Sequence, residues 1–167
     1  MSGPAEIDLE SAAARLGEDL LAGEWTLVTA ESSTAGLIGH AITMVPGASR
    51  YYLGGVIAYS NLAKELELGV DHETLVAHGA VSEPVAAAMA EGVRARFDAD
   101  LGVAVTGIAG PDGGGADKPV GLHFVGASRR GHPATVERHV FQHDRDGNKA
   151  AAALAALELA RREIRAG

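Results

Sequence analysis

The segment from Leu27 to Gly36 constrains the fold of this chain more than any other stretch. It reads LVTAESSTAG, so an apolar run changes into small hydroxyl residues and a glycine, and a second apolar run occupies residues 37–45. This order predicts a buried strand, a tight turn and the start of a helix. The hydroxyls of Ser32, Ser33 and Thr34 would lie beside the free N–H groups of a helix N-terminus. They could cap the helix, hold an anion or supply a nucleophile.

Helical and strand patterns alternate along the remainder of the chain. Helices are predicted at residues 4–21, 34–44, 62–68, 72–78, 83–97 and 148–165, and strands at residues 25–30, 51–59, 101–106, 120–128 and 135–141. The interleaving predicts an α/β class, and the last two strands, which have no helical pattern between them, predict a mixed sheet. We therefore expect residues 1–167 to form a single domain, a layered α/β/α sandwich around a mixed, mostly parallel sheet. Residues 1–6 are expected to be disordered.

Composition excludes several classes of function. The formal net charge of −8 argues against a broad nucleic-acid-binding surface. The chain has no cysteine, so it has no disulfide and no thiolate metal site, and a reducing cytoplasm is the expected location. No apolar run approaches the roughly 20 residues of a membrane helix, and the acidic segment Met1 to Glu10 does not resemble a signal peptide. The adjacent pair His143 and Asp144 is too little for a protein-bound metal, which leaves open a magnesium ion brought by a phosphate.

A second apolar strand ends in a glycine-rich loop, Gly107 to Gly115. Ligands of an open α/β sheet bind beyond the carboxyl ends of its strands, so this loop and the Ser32 turn would line one pocket rich in backbone N–H groups. Such a pocket favours an anionic ligand, with phosphate the first candidate. The loop matches neither a Walker sequence nor a dinucleotide fingerprint. Pattern alone therefore also allows two well-capped turns without a ligand.

Lysine is rare in this chain, which contains only Lys64, Lys118 and Lys149. Lys64 lies near the start of a predicted helix, where the helix dipole and partial burial would lower its pKa, as a general base requires. Serine with lysine is a known alternative to serine with histidine. The simpler interpretation is a surface ion pair of Lys64 with Glu65 or Glu67, and the residues alone favour it.

Ordered motifs extend over nearly the whole chain, from about Ala13 to Ala160. They are AESSTAG at 30–36, VPGAS at 45–49, GGVIAYSNLAK at 54–64, LGV at 68–70, HGAVSE at 78–83, VTGIAGPDGG at 105–114, KPVG at 118–121 and DR at 144–145. Together they resemble the C-terminal domain family of competence/damage-inducible protein A (CinA). That family includes nicotinamide-nucleotide amidohydrolases, which convert nicotinamide mononucleotide and water to nicotinic acid mononucleotide and ammonia. In many members a larger domain precedes this one, and the present sequence resembles the stand-alone form.

The resemblance implies a set of site residues. Lys64, helped by the Tyr59 hydroxyl, would take the proton of Ser32, and Ser32 would attack the carboxamide carbon. Backbone N–H groups between Ser33 and Gly36 would hold the oxyanion, and the glycine-rich loop with Arg145 would hold the phosphate. The substrate-binding positions are thus Ser33, Thr34, Ala35, Gly36, Thr106, Gly107, Ile108, Ala109, Gly110 and Arg145. The resemblance further implies a small nucleotide substrate, no cofactor, no metal, and a homodimer or higher oligomer.

Three residues depart from the pattern of that family. Ser33 stands where the family has cysteine, Ala35 where it has the first of two glycines, and His143 where a glycine is usual. If position 35 needs a positive φ, alanine costs about 1–2 kcal/mol there. The alternative function is therefore a nucleotide-binding module that has lost turnover and acts through a partner in competence or DNA-damage responses.

Overall fold

A computed structural model describes residues 8–166, so the expected disorder of residues 1–6 and the predicted helical residues 4–7 lie outside the described part. The helices are α1 (Leu9–Ala22), α2 (Leu37–Thr43), α3 (Asn61–Leu68), α4 (His72–His78), α5 (Glu83–Phe97) and α6 (Arg145–Arg165). The strands are β1 (Leu27–Glu31), β2 (Tyr52–Ile57), β3 (Leu101–Gly107), β4 (Leu122–Arg129) and β5 (Thr135–Val140). A short 3-10 helix, Ala48–Arg50, precedes β2.

The five strands form one sheet in the order β2-β1-β3-β4-β5. Strand β1 pairs in parallel with β2 and β3, and β4 runs antiparallel to β3 and β5. Helices α1, α2 and α6 cover one face of the sheet, and α3, α4 and α5 cover the other. The predicted α/β/α sandwich with a mixed, mostly parallel sheet is therefore confirmed. Across residues 8–166, no helix has both the length and the apolar character needed to cross a membrane.

Small residues let the helices approach the sheet and one another closely. In α5, a Cβ added at Gly92 would lie 1.9 Å from the carbonyl oxygen of Leu68, so α3 can pack against α5 at this point only because residue 92 is glycine. On the sheet, a Cβ added at Gly102 would lie 2.4 Å from the carbonyl oxygen of Ala90 in α5. This close packing fixes α3 beside the carboxyl end of the sheet.

Two predicted helix starts are wrong, and both lie at that carboxyl end. Helix α2 begins at Leu37 and not at residue 34, because Ala35 (φ 49°) and Gly36 (φ 98°) adopt left-handed conformations that a right-handed helix does not contain. Helix α6 begins at Arg145 and not at residue 148, because the Asp144 side chain accepts a hydrogen bond from a first-turn N–H group. Over the described residues, the remaining elements match their predicted ranges to within a few residues.

The predicted capping residues precede their helices, but one acts differently from expectation. The side chains of Ser60 and Asp71 accept hydrogen bonds from first-turn N–H groups of α3 and α4. The Ser82 hydroxyl instead donates to the carbonyl of Gly79, 2.8 Å away. Ser82 therefore stabilises the loop between α4 and α5, which borders the candidate site.

Candidate active site

A cavity of about 260 Å³ opens where β1 and β3 end. Its walls come from the turn after β1, the start of α3, the loop between α4 and α5, the loop after β3 and the start of α6. The lining residues are Ser32, Ser33, Tyr59, Lys64, Ala80, Val81, Thr106, Gly107, Ile108, Ala109, Gly110, Asp112, Gly113 and Arg145. The structure thus brings the Ser32 turn and the glycine-rich loop to the same cavity.

Lys64 and Ser32 form a hydrogen bond in this cavity. Lys64 Nζ lies 3.1 Å from Ser32 Oγ and also donates to the backbone carbonyls of Ala58 (2.9 Å) and Tyr59 (3.2 Å). Ser32 is 7% exposed and Lys64 is 1% exposed. The amine is therefore held by three oxygen atoms and is almost completely removed from bulk water.

The burial of Lys64 changes its acidity. Loss of solvation lowers the pKa of the Lys64 amine from 10.5 to about 8. The simpler interpretation, a surface ion pair with Glu65 or Glu67, is wrong, since Glu65 contacts His72 and Glu67 contacts Arg96. Within the described residues no carboxylate pairs with Lys64, so nothing offsets its loss of hydration by ion pairing.

Tyr59 lies at the rim of the cavity, with 65% of its surface exposed. Its backbone carbonyl accepts a hydrogen bond from Lys64 (3.2 Å), but over residues 8–166 its hydroxyl makes no hydrogen bond with Lys64 or Ser32. The expected assistance of the Tyr59 hydroxyl therefore has no counterpart in this geometry. What the residue contributes to the Lys64 amine is a backbone acceptor.

The turn after β1 holds a carboxylate of the chain itself. Glu31, the last residue of β1, is 2% exposed. It accepts hydrogen bonds from the N–H groups of Gly36 (3.0 Å), Ile38 (3.1 Å) and Gly39 (2.9 Å). The Thr34 hydroxyl donates to the same carboxylate (2.7 Å). The positive end of α2 is therefore occupied from within, and the expectation that Gly36 helps to hold an oxyanion is wrong.

The structure divides the four predicted substrate-binding residues of this turn. Ser33 lines the cavity, and its buried hydroxyl has no hydrogen-bond partner in the described part of the chain. Thr34, Ala35 and Gly36 do not line the cavity. The Thr34 hydroxyl and the Gly36 N–H are bound to Glu31, and Ala35 is exposed. Their predicted contact with substrate is therefore not supported by the geometry.

Side chains from α6 hold the glycine-rich loop. Asn148 is fully buried, and its Nδ2 donates to the carbonyl of Ala109 (3.0 Å). Arg145 donates to the carbonyl of Gly110 (2.6 Å) and lines the cavity. Within residues 8–166, the N–H groups of Ala109 and Gly110 make no hydrogen bond, nor do those of residues 112 and 113. Backbone donors and a guanidinium group therefore lie together at this wall.

Thr106 connects the end of β3 to the loop between α4 and α5. Its hydroxyl donates to the carbonyl of Ala80 (2.8 Å), and Ala80 and Val81 line the cavity. This contact uses the Thr106 hydroxyl, so its structural role is to fix the loop between α4 and α5. Lys118 holds the same loop region from outside, since its amine donates to the carbonyl of His78 (2.6 Å).

Sequence reasoning missed several residues of the site. Glu31 follows an apolar run directly, and a charged residue that continues a buried strand was the available signal. Asn148 was included in a helix without a role, and its contact with a loop 39 positions earlier left no local pattern. Asp112 lines the same cavity as Lys64 and Arg145 and adds a carboxylate to it. Over the described residues, no group of three His, Cys, Asp or Glu side chains could hold a metal ion.

Comparison with known proteins gives concordant matches along the chain. The CinA C-terminal domain family matches residues 9–164. A CinA-like protein of Salinibacter ruber is 51% identical over 165 residues, and a putative competence-damage inducible protein of Moorella thermoacetica is 49% identical over 150 residues. These alignments cover 97% and 90% of this chain but only 38% and 36% of the two relatives. The chain thus spans under two fifths of the length of these curated relatives.

Solved structures of similar proteins have the same fold. A CinA superfamily protein from Klebsiella pneumoniae has a TM-score of 0.92 and 31% identity, and the match covers 96% of this chain and 99% of that one. A competence/damage inducible protein from Agrobacterium tumefaciens has a TM-score of 0.89 and 39% identity, with 95% and 96% covered. The similarity therefore extends over these compared chains almost completely.

Proposed function

The chain belongs to the CinA C-terminal domain family, and we propose that it is an amidohydrolase that converts nicotinamide mononucleotide and water to nicotinic acid mononucleotide and ammonia. The observation that carries this proposal is the buried contact between Lys64 Nζ and Ser32 Oγ (3.1 Å). A serine hydroxyl is a weak nucleophile until a nearby base takes its proton. A lysine with a lowered pKa can be that base. The identity of the substrate comes from the resemblance to the amidohydrolases of the family.

Lys64 has the surroundings that a neutral amine needs. A neutral amine has two N–H groups and one lone pair. The carbonyls of Ala58 and Tyr59 can accept hydrogen bonds from the two N–H groups. The lone pair is then left for the Ser32 hydroxyl, which becomes the donor of that hydrogen bond. With a pKa of about 8, on the order of a tenth of the amines are neutral at pH 7.

The proposed reaction proceeds through an acyl-enzyme. Ser32 Oγ bonds to the carboxamide carbon while its proton passes to Lys64, and the carbonyl oxygen becomes an oxyanion. The C–N bond then breaks, and the Lys64 ammonium returns the proton to the leaving NH2 group, which departs as ammonia. A water molecule gives a proton to Lys64 and attacks the acyl carbon. The bond between Ser32 Oγ and the acyl carbon then breaks, and Lys64 returns the proton to Ser32 Oγ as the acid product forms. The N–H group of Ser33, a residue that lines the cavity, makes no hydrogen bond over residues 8–166 and is the candidate oxyanion donor.

The cavity wall formed by the glycine-rich loop and Arg145 suits the phosphate of a mononucleotide. Arg145 can give charge-assisted hydrogen bonds to phosphate oxygens, and the free N–H groups of Ala109 and Gly110 can add neutral ones. The exposed ring of Tyr59 offers an aromatic face to the positively charged pyridinium ring of the substrate. In the proposed complex, the nucleotide therefore lies with its carboxamide at Ser32 and its phosphate at the glycine-rich loop.

The function is tested by measuring ammonia release from nicotinamide mononucleotide by the purified protein. We expect release by the wild type and loss of release in Ser32→Ala and Lys64→Ala. Ser33→Ala is the matched control, because Ser33 also lines the cavity but does not contact Lys64. Full activity of Ser32→Ala would exclude this mechanism. Binding of the nucleotide without ammonia release by the wild type would instead support the binding-module alternative.

We also propose that the protein is a homodimer or higher oligomer. The two edges of the sheet differ in charge, which supports this proposal. Strand β2 has no charged residue and exposes Leu53 and Ile57, whereas β5 exposes Val140 but also carries Glu137 and Arg138. Charged side chains prevent an edge strand from pairing with a strand of another chain, and an edge strand without charges can pair in this way. Sedimentation velocity should show a wild-type dimer that Ile57→Lys weakens and Val140→Lys, on the β5 edge, leaves intact. A monomeric wild type would contradict the proposal.

The proposed location is the cytoplasm. The chain has no cysteine, which is consistent with a compartment where disulfides do not form. Fractionation of the native host with an antibody to the chain tests this, and recovery in a secreted or membrane fraction would contradict it.

A further inference from the structure

Glu31 is a buried anion that is stabilised without a cation. It is 2% exposed, and in the part of the chain that the structure describes no Lys, Arg or His forms an ion pair with it. Burial of an unpaired carboxylate is costly unless several donors replace its hydration. Three backbone N–H groups and one hydroxyl supply this replacement, at 2.7–3.1 Å. Such a complete set of donors fixes the carboxylate and the backbone around it together.

The hydrogen bonds of Glu31 decide which amides of the turn remain free. The N–H groups of Ser32, Ala35 and Leu37 bond to backbone carbonyls, and those of residues 36, 38 and 39 bond to the Glu31 carboxylate. Only the N–H groups of Ser33 and Thr34 have no acceptor within the described residues 32–39. Of these two residues, Ser33 directly follows the candidate nucleophile and lines the cavity, where a donor to an oxyanion is needed.

We propose that Glu31 is a positioning residue that holds the turn after β1 so that the Ser33 N–H group faces the reacting carbonyl oxygen. The same carboxylate excludes a substrate phosphate from the start of α2, because it already fills that position. Glu31 thereby sets both the oxyanion donor and the orientation of the substrate. This inference rests on the proposed acyl transfer at Ser32, but it concerns the preparation of Ser32 for attack and not the identity of the substrate.

The test uses two reactions of the full chain. The first is ammonia release from nicotinamide mononucleotide. The second is labelling by an alkyl fluorophosphonate, in which Ser32 Oγ bonds to phosphorus, the P–F bond breaks, fluoride leaves and Lys64 takes the serine proton. The rate of labelling is followed by mass spectrometry of the intact protein. It reports on the nucleophile and its oxyanion donor whatever the natural substrate is.

Glu31→Gln retains the shape of the side chain but replaces one acceptor oxygen with an NH2 group. This NH2 group would face the hydrogen-bond donors that the carboxylate now accepts from. We expect kcat and the labelling rate to fall about 100-fold, the effect of losing one oxyanion donor, with KM changed less than about threefold. Thr34→Val removes only the hydroxyl contact and retains the backbone N–H, so a fall of about tenfold is expected, near the 1.4 kcal/mol of one hydrogen bond. Asp8→Asn is the matched control, since Asp8 also accepts an N–H at a helix start, that of Ser11, but lies outside the cavity.

Circular dichroism and thermal unfolding separate positioning from folding. A merely structural cap would lower the melting temperature of Glu31→Gln while kcat per folded molecule stayed at the wild-type value, and that result would overturn the proposal. If Glu31→Gln does not fold, Thr34→Val decides, and an unchanged labelling rate would overturn it. If labelling depends on Glu31 but the wild type releases no ammonia, the role of Glu31 is supported and nicotinamide mononucleotide is rejected as the substrate. Absence of wild-type labelling at Ser32 would overturn the role of Glu31 itself.

Discussion

The turn after β1 and the loop after β3 are similar in composition, but their backbone polar groups have different partners. Both are rich in small residues, and both follow parallel strands that neighbour each other in the sheet. In the first, the carboxylate of Glu31 accepts the N–H groups at the start of α2. In the second, α6 binds the carbonyls of Ala109 and Gly110, and their N–H groups stay unbonded among the described residues. One segment has an internal anion, and the other has donors for an external one.

This difference assigns separate tasks to the two segments. An anion already present beside Ser32 leaves no place there for a phosphate, so the first segment is suited to the chemistry of the neutral carboxamide. The second segment adds the guanidinium of Arg145 to its backbone donors and is suited to the charged end of a nucleotide. The two segments differ in whether side chains of the protein bond to their backbone N–H groups or to their carbonyls. Amino-acid composition does not reveal this difference.

The largest expected effect is at the first segment, from Lys64→Met. We expect kcat for ammonia release to fall about 10⁴-fold, as when the base of a catalytic triad is disabled, with little change in nucleotide binding. In the wild type, log kcat/KM should rise with pH up to a pKa of about 8 and then level off, because the neutral amine is the reactive form. An activity that is already level from pH 6 to 9 would show that Lys64 is not the base.

Stability gives an independent check on the same lysine. The pKa of Lys64 is about 8 in the folded protein and 10.5 as the reference value, so below pH 8 the folded state bears the full cost of burying the charge. That cost is about 3 kcal/mol at 1.36 kcal/mol per pKa unit, and it disappears as pH rises from 8 to 10.5. The unfolding free energy of the wild type minus that of Lys64→Met should therefore increase over this range. A constant difference would contradict the lowered pKa.

The next effect is at the second segment, from Arg145→Met. Loss of a charge-assisted contact of about 1.5–3 kcal/mol should raise KM for nicotinamide mononucleotide about 10–100-fold while kcat changes little. Nicotinamide riboside, which lacks the phosphate, is the matched control substrate, and its kcat/KM should stay constant in the variant. Equal losses for both substrates would show that Arg145 acts through the Gly110 carbonyl and the shape of the loop. The assignment of phosphate to the second segment would then be lost.

Much of the fold follows from patterns that act over short distances. Buried strands, capping residues and the missing helix between β4 and β5 are all local features, and the sheet is mixed as they predicted. The start of α2 was misplaced because Ala35 adopts a positive φ, which alanine rarely does and which only the glycine at this position in the resembled family indicated. Local pattern therefore fails where a residue takes a conformation against its own preference.

The site depends more on contacts between distant residues. The 3.1 Å contact of Lys64 with Ser32 joins positions 32 residues apart. The residues alone favoured a surface position for Lys64, and only resemblance to a family brought the pair together. Asn148 and the carbonyl of Ala109 are farther apart in the chain, and no motif indicated that contact. The family resemblance was misleading for Tyr59. It implied a role for the Tyr59 hydroxyl, but the group that contacts the Lys64 amine is the Tyr59 backbone carbonyl.

The smallest expected effect, from Ala35→Gly, tests how firmly Glu31 holds the first segment. Ala35 has φ 49°, a left-handed conformation that costs alanine about 1–2 kcal/mol, while glycine adds about 0.4–1 kcal/mol of chain entropy to the unfolded state. The variant should therefore gain roughly 0.5–1 kcal/mol of unfolding free energy in urea. Gly47→Ala is the reciprocal control, since φ is 86° there and no atom lies within 4 Å of an added Cβ, so it should lose stability. Because Glu31 fixes the turn through contacts on either side of residue 35, kcat should change less than about twofold, and a larger change would show that residue 35 itself controls the oxyanion donor.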